Sequence, residues 1–517
     1  MKRFLVTPLL TLLFGALPIV ISAQQLETSE VLQASEEPDS LIVHHFDSLV
    51  SQHLPKGGNV AIYAYDLSSR KPLYSYQADK LGRPASNMKL LTTITALAQE
   101  ASDEPFQTEV WAEGSLSLHQ DTLYGNLYVI GGMDPEFDDT ALDSLVDQVA
   151  RQPFTTLCGN LYGDLSLRDS IPYGDGWCWD DTPFNYQPWL SPLLLNKGVV
   201  KVTVKPAKEK GAPAEVSVTP ASSYYTIENL SQSRTPSAGK LRIDRDWMEQ
   251  RNHITIRGNV ERAQSRELTV HRSQDHFMHT FAERLQARGI KVISPTAEGR
   301  NENGNPSETV SPCYQWGELF SEADSLREES ATRRCIARHE TPMQTVVDRI
   351  MKESDNLNTE AVLTRLGHQT THRRHIHSED GLNAVRKQIE AMGLNPDDYN
   401  LADGCGLSNY NYISPQLLVA FLHYAFHRTD LFQKLYKALP VAGVDGTLEN
   451  RMMKGSPAYK NVHAKTGTIS GISSLSCYLQ GRSGHWIAFS IMNQNQLSGR
   501  KARKMQDILC EEMVNWF

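Results

Sequence analysis

Three short motifs carry residue types that together could perform acyl transfer through a serine. They are Ser86-Asn87-Met88-Lys89, Ser354-Asp355-Asn356 and Lys465-Thr466-Gly467. A serine hydroxyl is a poor nucleophile until a base removes its proton. Because Lys89 stands one helical turn after Ser86, both side chains would project from the same face, and a desolvated lysine with a lowered pKa can act as that base. Each motif alone is common, but the three in this order predict a serine acyl-transfer site.

The second and third motifs add groups for proton transfer and substrate binding. The Ser354 hydroxyl can relay a proton between the two lysines and the leaving amine, and Asn356 can bind an amide carbonyl of the substrate. Lys465 supplies positive charge, while the hydroxyls of Thr466 and Thr468 can hold a substrate carboxylate. Taken singly, the motifs have simpler interpretations as helix caps, a solvated lysine or a plain strand end.

Backbone groups complete the expected site. Without a side chain, Gly467 lets the chain approach a substrate closely. The backbone N–H groups of Ser86 and Thr468 are expected to form an oxyanion hole, which stabilises the charge that develops on a carbonyl oxygen. An apolar helical stripe over Met88–Ala98 places Ser86 at the start of a helix, where free N–H groups and the helix dipole favour an anion.

The motifs lie in sequence of mixed α and β character that a β-rich block interrupts. Strand patterns precede Ser86, and apolar stripes typical of helices begin at Met343 and Leu382. Residues 100–330 instead hold many short β-type runs separated by Gly, Asp and Pro turns. Since Ser86 and Ser354 must meet although they are 268 positions apart (354 − 86), we predict one catalytic domain with a large insertion.

Longer stretches around the motifs resemble one known family. They are Gly159-Asn160-Leu161, Gly176–Asp181, Glu353–Leu357, Asp403–Ser408 and Leu439–Leu448. With the three motifs, they are similar to the D-alanyl-D-alanine carboxypeptidase/endopeptidase family of low-molecular-mass class C penicillin-binding proteins, the peptidase S13 type. The similarity covers most of the chain, from about residue 45 to about residue 510.

The resemblance implies a fold and a reaction. The fold is α+β, with a penicilloyl-serine transferase (DD-peptidase/β-lactamase-like) catalytic domain and a β-rich inserted domain that carries a further insertion. The implied activity removes the terminal D-Ala of peptidoglycan stem peptides, cuts D-Ala–diaminopimelate cross-links, and is inhibited by β-lactams that acylate the serine. No metal or other cofactor is implied. The predicted domains are a catalytic domain at 41–99 and 333–517, inserted domain II at 100–198 and 272–332, and inserted domain III at 199–271.

Two further positions gain an interpretation from the family. Its inserted domain contributes an acidic residue to a pocket for the free amino acid end of diaminopimelate, and Asp181 or its neighbour Asp180 matches that position. A surface turn is the alternative for this pair. Cys405 stands where the family usually has serine, and its place between glycines suggests a packing role.

Three other functions compete with this reading. A class A β-lactamase shares the three motifs, and Glu379-Asp380-Gly381-Leu382-Asn383 matches its deacylation motif, but this glutamate fits the start of a helix better. A catalytically inactive cell-wall binding protein would have lost a reactive residue, and all are present. An α/β-hydrolase lacks support because no Gly-x-Ser-x-Gly occurs in the sequence.

Some histidines and cysteines admit further interpretations. Four histidines crowd a polar stretch, and a solvated loop is favoured over a metal site; they are His368, His372, His375 and His377. With seven cysteines in the chain, the pairs Cys158–Cys178 and Cys313–Cys335 are open as disulfides.

The N-terminus and the composition indicate an exported soluble protein. Residues 1–23 have the basic start, apolar run and small-residue end of a signal peptide, and residues 24–40 read as a flexible lead-in. No later segment is long and apolar enough to span a membrane, so a periplasmic location near the cell wall or membrane is expected. A net charge of −9 argues against nucleic acid as a partner, while a homodimer stays open.

Overall fold

The computed structural model describes residues 37–99, 102–293, 313–315, 330 and 332–517. The predicted signal peptide and residues 24–36 of the predicted lead-in lie outside the described residues, and helix α1 begins at the last residue of that lead-in. Within the described ranges, every helix is too short or too polar to cross a bilayer.

Runs of strands and runs of helices follow one another along the described chain. The helices are α1 Ser40–His53, α2 Met88–Leu97, α3 Asp139–Ala150, α4 Ser273–Ala287, α5 Met343–Lys352, α6 Asn356–Thr371, α7 Ser378–Ala391, α8 Pro415–Phe426, α9 Thr429–Ala438 and α10 Gly499–Trp516. The strands are β1 Asn59–Asp66, β2 Lys71–Tyr76, β3 Phe106–Ser117, β4 Thr122–Gly131, β5 Thr156–Cys158, β6 Leu161–Asp164, β7 Val199–Lys205, β8 Glu215–Thr219, β9 Thr226–Ser233, β10 Arg242–Arg245, β11 His253–Val260, β12 Gln264–Thr269, β13 Lys291–Ile293, β14 Cys313–Gln315, β15 Arg333–Thr341, β16 His463–Ile469, β17 Ile472–Gln480 and β18 Trp486–Gln494.

A five-stranded antiparallel sheet joins the two ends of the sequence. Its order is β16-β17-β18-β1-β2, so strands from before the insertion pair with strands from the last part of the chain. Side chains alternate across the sheet: Ile62 and Ala64 of β1 pack with Phe46 of α1 on one face. Tyr63 and Tyr65 pack on the other face, in a core that also contains α2 and helices α5 to α9. Two buried layers therefore fix the position of β16 at the sheet edge.

The β-rich block forms its own sheet and core. Strands β13, β5, β4, β3 and β15 lie in that order, with β6 pairing both β4 and β14. Helices α3 and α4 pack on this sheet through apolar side chains, among them Leu142 and Phe281. Because β3 enters this region and β15 leaves it as antiparallel neighbours, the block returns the chain close to where it departed.

A smaller β unit is inserted within that block. Two three-stranded sheets, β10-β11-β9 and β12-β7-β8, enclose an apolar core that includes Val202, Ile254 and Leu268. Alternating burial along β7, in which Val200, Val202 and Val204 are buried, is typical of strands with one face in a core. The described segments thus have the α+β architecture with a nested insertion that the resemblance implied, while the individual domain boundaries remain predictions.

The structure rules out both suggested disulfides and shortens the predicted histidine loop. Cys158, Cys178 and Cys335 are free thiols, so neither disulfide left open by the sequence is formed. The supposed polar histidine loop is shorter than expected, because α6 continues to Thr371 and includes His368. The helix therefore extends into a stretch whose polar composition suggested a loop.

Candidate active site

Ser86 lies in a tight turn that runs directly into α2. Residues 85–87 form a single 3₁₀ turn, and Ala85 has a positive φ of 48°. Strand β17 holds this turn on both sides of the serine. The Ser474 hydroxyl donates to the Pro84 carbonyl at 2.5 Å, and the buried Asn87 amide donates to Ser476 Oγ at 2.7 Å. The nucleophile candidate is thus held by the sheet as well as by the helix.

Lys89 projects from the first turn of α2 towards Ser86. Its Nζ donates to Ser86 Oγ at 3.0 Å, to Asn356 Oδ1 at 2.6 Å and to the Cys405 carbonyl at 2.6 Å. The side chain is fully buried. Burial lowers the pKa of Lys89 below its ordinary value, although electrostatic interactions with Cys405 and Asp403 oppose that effect. A lysine with a lowered pKa within hydrogen-bond distance of a serine hydroxyl can accept its proton.

The second motif occupies the sharp turn between α5 and α6. Ser354 adopts a left-handed φ of 62°, and Asp355 caps α6 by accepting from the Asn358 backbone N–H at 2.9 Å. Lys197 from the inserted block donates to Asp355 Oδ2 at 2.8 Å. The turn therefore depends on the insertion for part of its support. Asn356 is the first residue of α6, which places its side chain next to Lys89.

Lys465 links the second and third motifs. Its Nζ donates to Ser354 Oγ at 2.9 Å and to the Thr466 carbonyl at 2.8 Å. The side chain is fully buried, and this burial, with the nearby charge of Lys89, holds the pKa of Lys465 well below its ordinary value. The two lysines and the two motif serines therefore form two short hydrogen-bonded pairs, Lys89 with Ser86 and Lys465 with Ser354.

The third motif runs along the edge strand β16. The Thr466 hydroxyl donates to Thr447 Oγ1 at 2.8 Å, and Thr468 is exposed. A Cβ at Gly467 would overlap the Pro84 carbonyl and the Ser474 hydroxyl, so only glycine lets this strand approach the turn before the nucleophile. The sequence suggested that Gly467 gives room to a substrate. In the structure, its lack of a side chain lets β16 pack against the turn that carries Ser86.

A cavity of about 710 Å³ opens in front of Ser86. It brings together members of all three motifs with the acidic pair of the insertion: its lining includes Ser86, Ser354, Asn356, Thr468, Asp180 and Asp181. Lys89 and Lys465 are fully buried behind this lining, and Thr466 lies on β16, the strand that contributes Thr468. Every residue that the sequence selected for the site therefore lies in or directly behind one cavity or on its bordering strand. Their catalytic and binding roles remain proposals.

Tyr186 is a site residue that the sequence did not reveal. Its hydroxyl donates to Asp181 Oδ1 at 2.6 Å, and its backbone carbonyl accepts from Asn356 Nδ2 at 2.7 Å. The insertion thus contacts the second motif directly beside the cavity. Burial and the neighbouring Asp181 carboxylate raise the pKa of Tyr186, so the hydroxyl stays protonated at neutral pH. No spacing pattern links position 186 with position 356, because the contact spans 170 residues.

Glu360 is a second residue that the sequence missed. It is fully buried on α6, where its Oε1 accepts from the backbone N–H groups of Gly404 at 3.0 Å and Cys405 at 2.9 Å. These bonds hold the loop whose Cys405 carbonyl accepts from Lys89. Burial and the nearby Asp403 carboxylate raise the pKa of Glu360 to about 7. Cys405 itself is buried with a raised thiol pKa, as a packing role requires.

Glu360→Gln is expected to flatten the dependence of stability on pH. The folded pKa of about 7 exceeds the ordinary value of 4.5, so the folded chain binds the proton more tightly than the unfolded chain. The free energy of unfolding therefore falls as the pH rises from 4.5 to 7, by roughly 3 kcal/mol for this group. Urea unfolding at pH 5 and pH 7.5 measures that fall. It should shrink in Glu360→Gln and persist in the control Glu390→Gln, which changes an exposed residue of α7. An unchanged fall in the Glu360 variant would contradict this prediction.

Glu360, Asp403 and Cys405 also form the cluster of metal-binding residue types within the described segments. Asp403 accepts from the backbone N–H groups of Gly406 at 2.7 Å and Ser408 at 2.6 Å. Backbone donors occupy Oε1 of Glu360 and both oxygens of Asp403, so the cluster is a support for the 403–408 loop, and we assign no metal to it.

The remaining candidates lie away from the cavity. Glu379 is in the first turn of α7, where it pairs with Arg386 at 2.6 Å, as expected for a residue at a helix start. His377 Nδ1 lies 2.7 Å from Asp169 Oδ2, and His368 Nδ1 lies 2.8 Å from the Arg373 carbonyl. These contacts engage both histidines within the protein.

Comparison with known protein families identifies the family of this chain. The model of the D-Ala-D-Ala carboxypeptidase 3 (S13) family matches residues 42–306 and 320–515. The chain belongs to this family. The match covers most of the sequence, within the insertion as well as on both sides of it. It confirms the family that the motifs and longer stretches indicated.

Individual relatives agree with the family match. A D-alanyl-D-alanine carboxypeptidase of Actinomadura sp. (strain R39) is 29% identical over 98% of this chain and 89% of its own length. The D-alanyl-D-alanine carboxypeptidase DacB of Haemophilus influenzae is 23% identical over 85% of this chain and 86% of its own. The crystal structure of penicillin-binding protein 4 from H. influenzae superposes with a TM-score of 0.72 at 22% identity, covering 91% of this chain and 99% of that one. This likeness confirms the predicted fold.

Proposed function

We propose that the protein is a serine DD-peptidase of peptidoglycan, which removes the terminal D-Ala of stem peptides or cuts D-Ala–diaminopimelate cross-links through an acyl-enzyme. The observation that carries this proposal is the hydrogen-bonded set of Ser86, Lys89, Ser354 and Lys465 beside one open cavity. Membership of the S13 family and the carboxypeptidase names of its relatives support it.

The first half of the reaction forms an ester on Ser86. Lys89, 3.0 Å away, takes the hydroxyl proton as Oγ bonds to the carbonyl carbon of the penultimate D-Ala. The C–N bond to the leaving residue then breaks, its amine takes the proton of the Ser354 hydroxyl, and Lys465, 2.9 Å from Ser354 Oγ, replaces that proton. Water then attacks the ester and gives a proton to Lys465 through Ser354, the bond between Ser86 Oγ and the acyl carbon breaks, and Lys89 returns its proton to Ser86 Oγ.

Neighbouring groups hold the substrate during these steps. The backbone N–H groups of Ser86 and Thr468 stabilise the tetrahedral oxyanion. The amide nitrogen of Asn356 has two hydrogens, and one of them remains for a substrate carbonyl besides the one donated to Tyr186. The hydroxyls of Thr466 and Thr468, near the positive charge of Lys465, receive the terminal carboxylate.

Defined muropeptides test this proposal. Incubation with a pentapeptide stem should yield the tetrapeptide and free D-Ala by mass spectrometry, and a cross-linked dimer reports endopeptidase cleavage in the same way. A fluorescent penicillin should label the protein and remain attached. Rapid turnover of penicillin without lasting label would favour a β-lactamase, and the absence of labelling would favour an inactive binding protein.

Asp181→Ala is expected to separate substrate recognition from acylation. Asp181 lines the catalytic cavity and accepts from Tyr186, so its carboxylate can attract the ammonium group at the free end of diaminopimelate. We expect kcat/KM for diaminopimelate-containing peptides to fall about tenfold or more, as loss of a charge-assisted contact does. Labelling by penicillin, which lacks this group, should be retained. Parallel variants at the more exposed Asp180 decide which carboxylate acts, and equal loss of both activities would contradict the assignment.

The cellular setting follows from the same reaction. Peptidoglycan lies outside the inner membrane, and the signal-peptide pattern of residues 1–23 supports export to the periplasm, with peripheral association to the cell wall or membrane. β-Lactams are the expected inhibitors, as a β-lactam complex of the H. influenzae protein suggests. Assembly of the protein into a homodimer remains a prediction.

A further inference from the structure

A second cavity lies beside the catalytic one and has no part in the mechanism above. Its volume is about 390 Å³, within the usual range of small-molecule pockets. Part of its wall comes from the loop 173–189, and part from residues 245–250 and 271 of the nested β unit. Four of the eight tryptophans in the sequence line it: Trp177, Trp179, Trp189 and Trp247. Such a concentration of large rings needs an explanation beyond packing.

The rings of this cavity form an open aromatic surface. Trp179 is 68% exposed, and its ring centroid lies 5.4 Å from that of Trp247. Deeper in the cavity, Trp189 is held edge-on by Tyr173 at 5.6 Å and by His271 at 4.8 Å. An exposed cluster of rigid rings is costly in water and marks a binding surface. The flat, apolar face of a pyranose ring packs well against such rings.

Buried polar atoms in the same lining lack partners. Within the described residues, Trp189 Nε1, Arg245 Nε and Gln187 Oε1 make no hydrogen bond. Arg245 is only 5% exposed and Gln187 only 2%. Each unpaired buried group costs about 1–3 kcal/mol unless a ligand satisfies it. Two donors and one acceptor match an acetamido group, whose carbonyl accepts and whose N–H donates.

The position of the cavity connects it with the reaction. Along one short segment, Trp177 and Trp179 line this cavity, while Cys178 and Asp180 line the catalytic cavity. Trp177 Nε1 also donates to Asp403 Oδ2 at 2.9 Å, in the loop next to Lys89. A ligand here would therefore lie beside the substrate of Ser86, separated from it by the thickness of one chain segment.

We infer that this second cavity binds an N-acetylated amino sugar of the glycan strand whose stem peptide enters the catalytic cavity. The inference rests on the proposed function, because peptidoglycan supplies both parts of that ligand. The tryptophan rings receive the faces of the sugar ring, and Trp189, Arg245 and Gln187 receive its acetamido group. The site selects peptides that are still attached to glycan.

Calorimetric titration with a peptide-free oligosaccharide tests the inference. A tetramer of N-acetylglucosamine should bind saturably, whereas the matching glucose tetramer, which lacks acetamido groups, should bind at least about tenfold more weakly, since it leaves the buried polar atoms unpaired. Trp247→Ala should weaken binding of the N-acetylated tetramer about tenfold, and Trp247→Phe should restore part of it. Trp516→Ala, on the distant helix α10, is the matched control and should bind as the wild type does. Absence of saturable binding, or equal binding of the two tetramers, would overturn the inference.

A second measurement separates this site from the catalytic one. Trp247→Ala should lower kcat/KM for D-Ala release from glycan-attached stem peptides, and it should not alter release from a sugar-free pentapeptide. Equal loss on both substrates would overturn the glycan assignment. Penicillin labelling tests the proposed function independently, because penicillin has no sugar. Oligosaccharide binding without penicillin labelling would refute the proposed peptidase activity but not the proposed sugar site.

Discussion

Ser86→Ala is expected to abolish both covalent labelling by penicillin and release of D-Ala. The hydroxyl that would form the ester is absent in this variant, and none of the remaining groups in the cavity is an activated nucleophile at the same place. Cys178 also lines the cavity, but it belongs to the insertion and to none of the three motifs. Loss of an activated serine typically lowers kcat on the order of 10⁴–10⁶-fold. Intact-mass spectrometry after incubation with penicillin measures the adduct directly.

The fold of this variant needs a separate check, because the turn at residues 85–87 is held by strand β17. Alanine at position 86 keeps those contacts, so the melting temperature should stay close to that of the wild type. Ser222→Ala, in the nested β unit, serves as the matched serine control and should retain full labelling. A labelled Ser86→Ala protein would refute the nucleophile assignment, and peptide mapping would then identify the residue that carries the adduct.

Local patterns were enough to predict the helices and strands that carry the candidate site. The serine–lysine spacing fits a helix that follows immediately, and α2 indeed starts two residues after Ser86. The stripe that begins at Met343 predicted α5 and hence the turn that carries Ser354. Alternation of side chains over residues 473–478 and 486–492 predicts two strands, which are β17 and β18, and β17 pairs with β16, the strand that carries Lys465. Each of these inferences uses side chains within a few positions of one another, where helix and strand periodicity are informative.

The contacts that support the site from distant parts of the chain could not be predicted from local patterns. Lys197 reaches Asp355 across 158 positions, and Tyr186 reaches Asn356 across 170. Glu360 looks like an ordinary polar residue of a helix, and only the three-dimensional packing of the 403–408 loop against α6 buries it. Such partners are set by tertiary structure, for which a single sequence carries no periodic signal.

One missed element did have a local signal. Helix α3 lies in the block that the sequence described as mainly β, yet Leu142, Leu145, Val146 and Val149 follow the spacing of one helical face. Asp138 precedes them and accepts from the Ala141 backbone N–H, as an N-cap does. The surrounding β-type runs and turns hid this pattern. Conversely, the polar composition near His368 suggested a loop where α6 is still helical, because tertiary packing of its apolar face outweighs local polarity.

Lys89→Arg is expected to slow acylation about 10²–10⁴-fold while preserving a positive charge at the site. Arginine stays protonated at any working pH and cannot take the proton of Ser86. Lys89 can do so because burial lowers its pKa and brings its neutral form closer to neutral pH. The wild-type acylation rate should therefore rise with pH as Lys89 loses its proton. That rise should be absent in Lys89→Arg, as stopped-flow measurement of penicillin acylation from pH 5 to pH 9 would reveal.

The position of the lysine also allows a structural explanation of lost activity, which a second variant of Lys89 addresses. Lys89 donates to the Cys405 carbonyl as well as to Ser86, so its removal could displace the 403–408 loop. Lys89→Met keeps much of the buried aliphatic volume but neither the base nor the donor. If proton transfer matters most, Arg and Met variants should be similarly slow although only one retains a donor to the loop. Near-normal acylation by Lys89→Arg would instead assign proton removal to Lys465 through Ser354, the second hydrogen-bonded pair of the site.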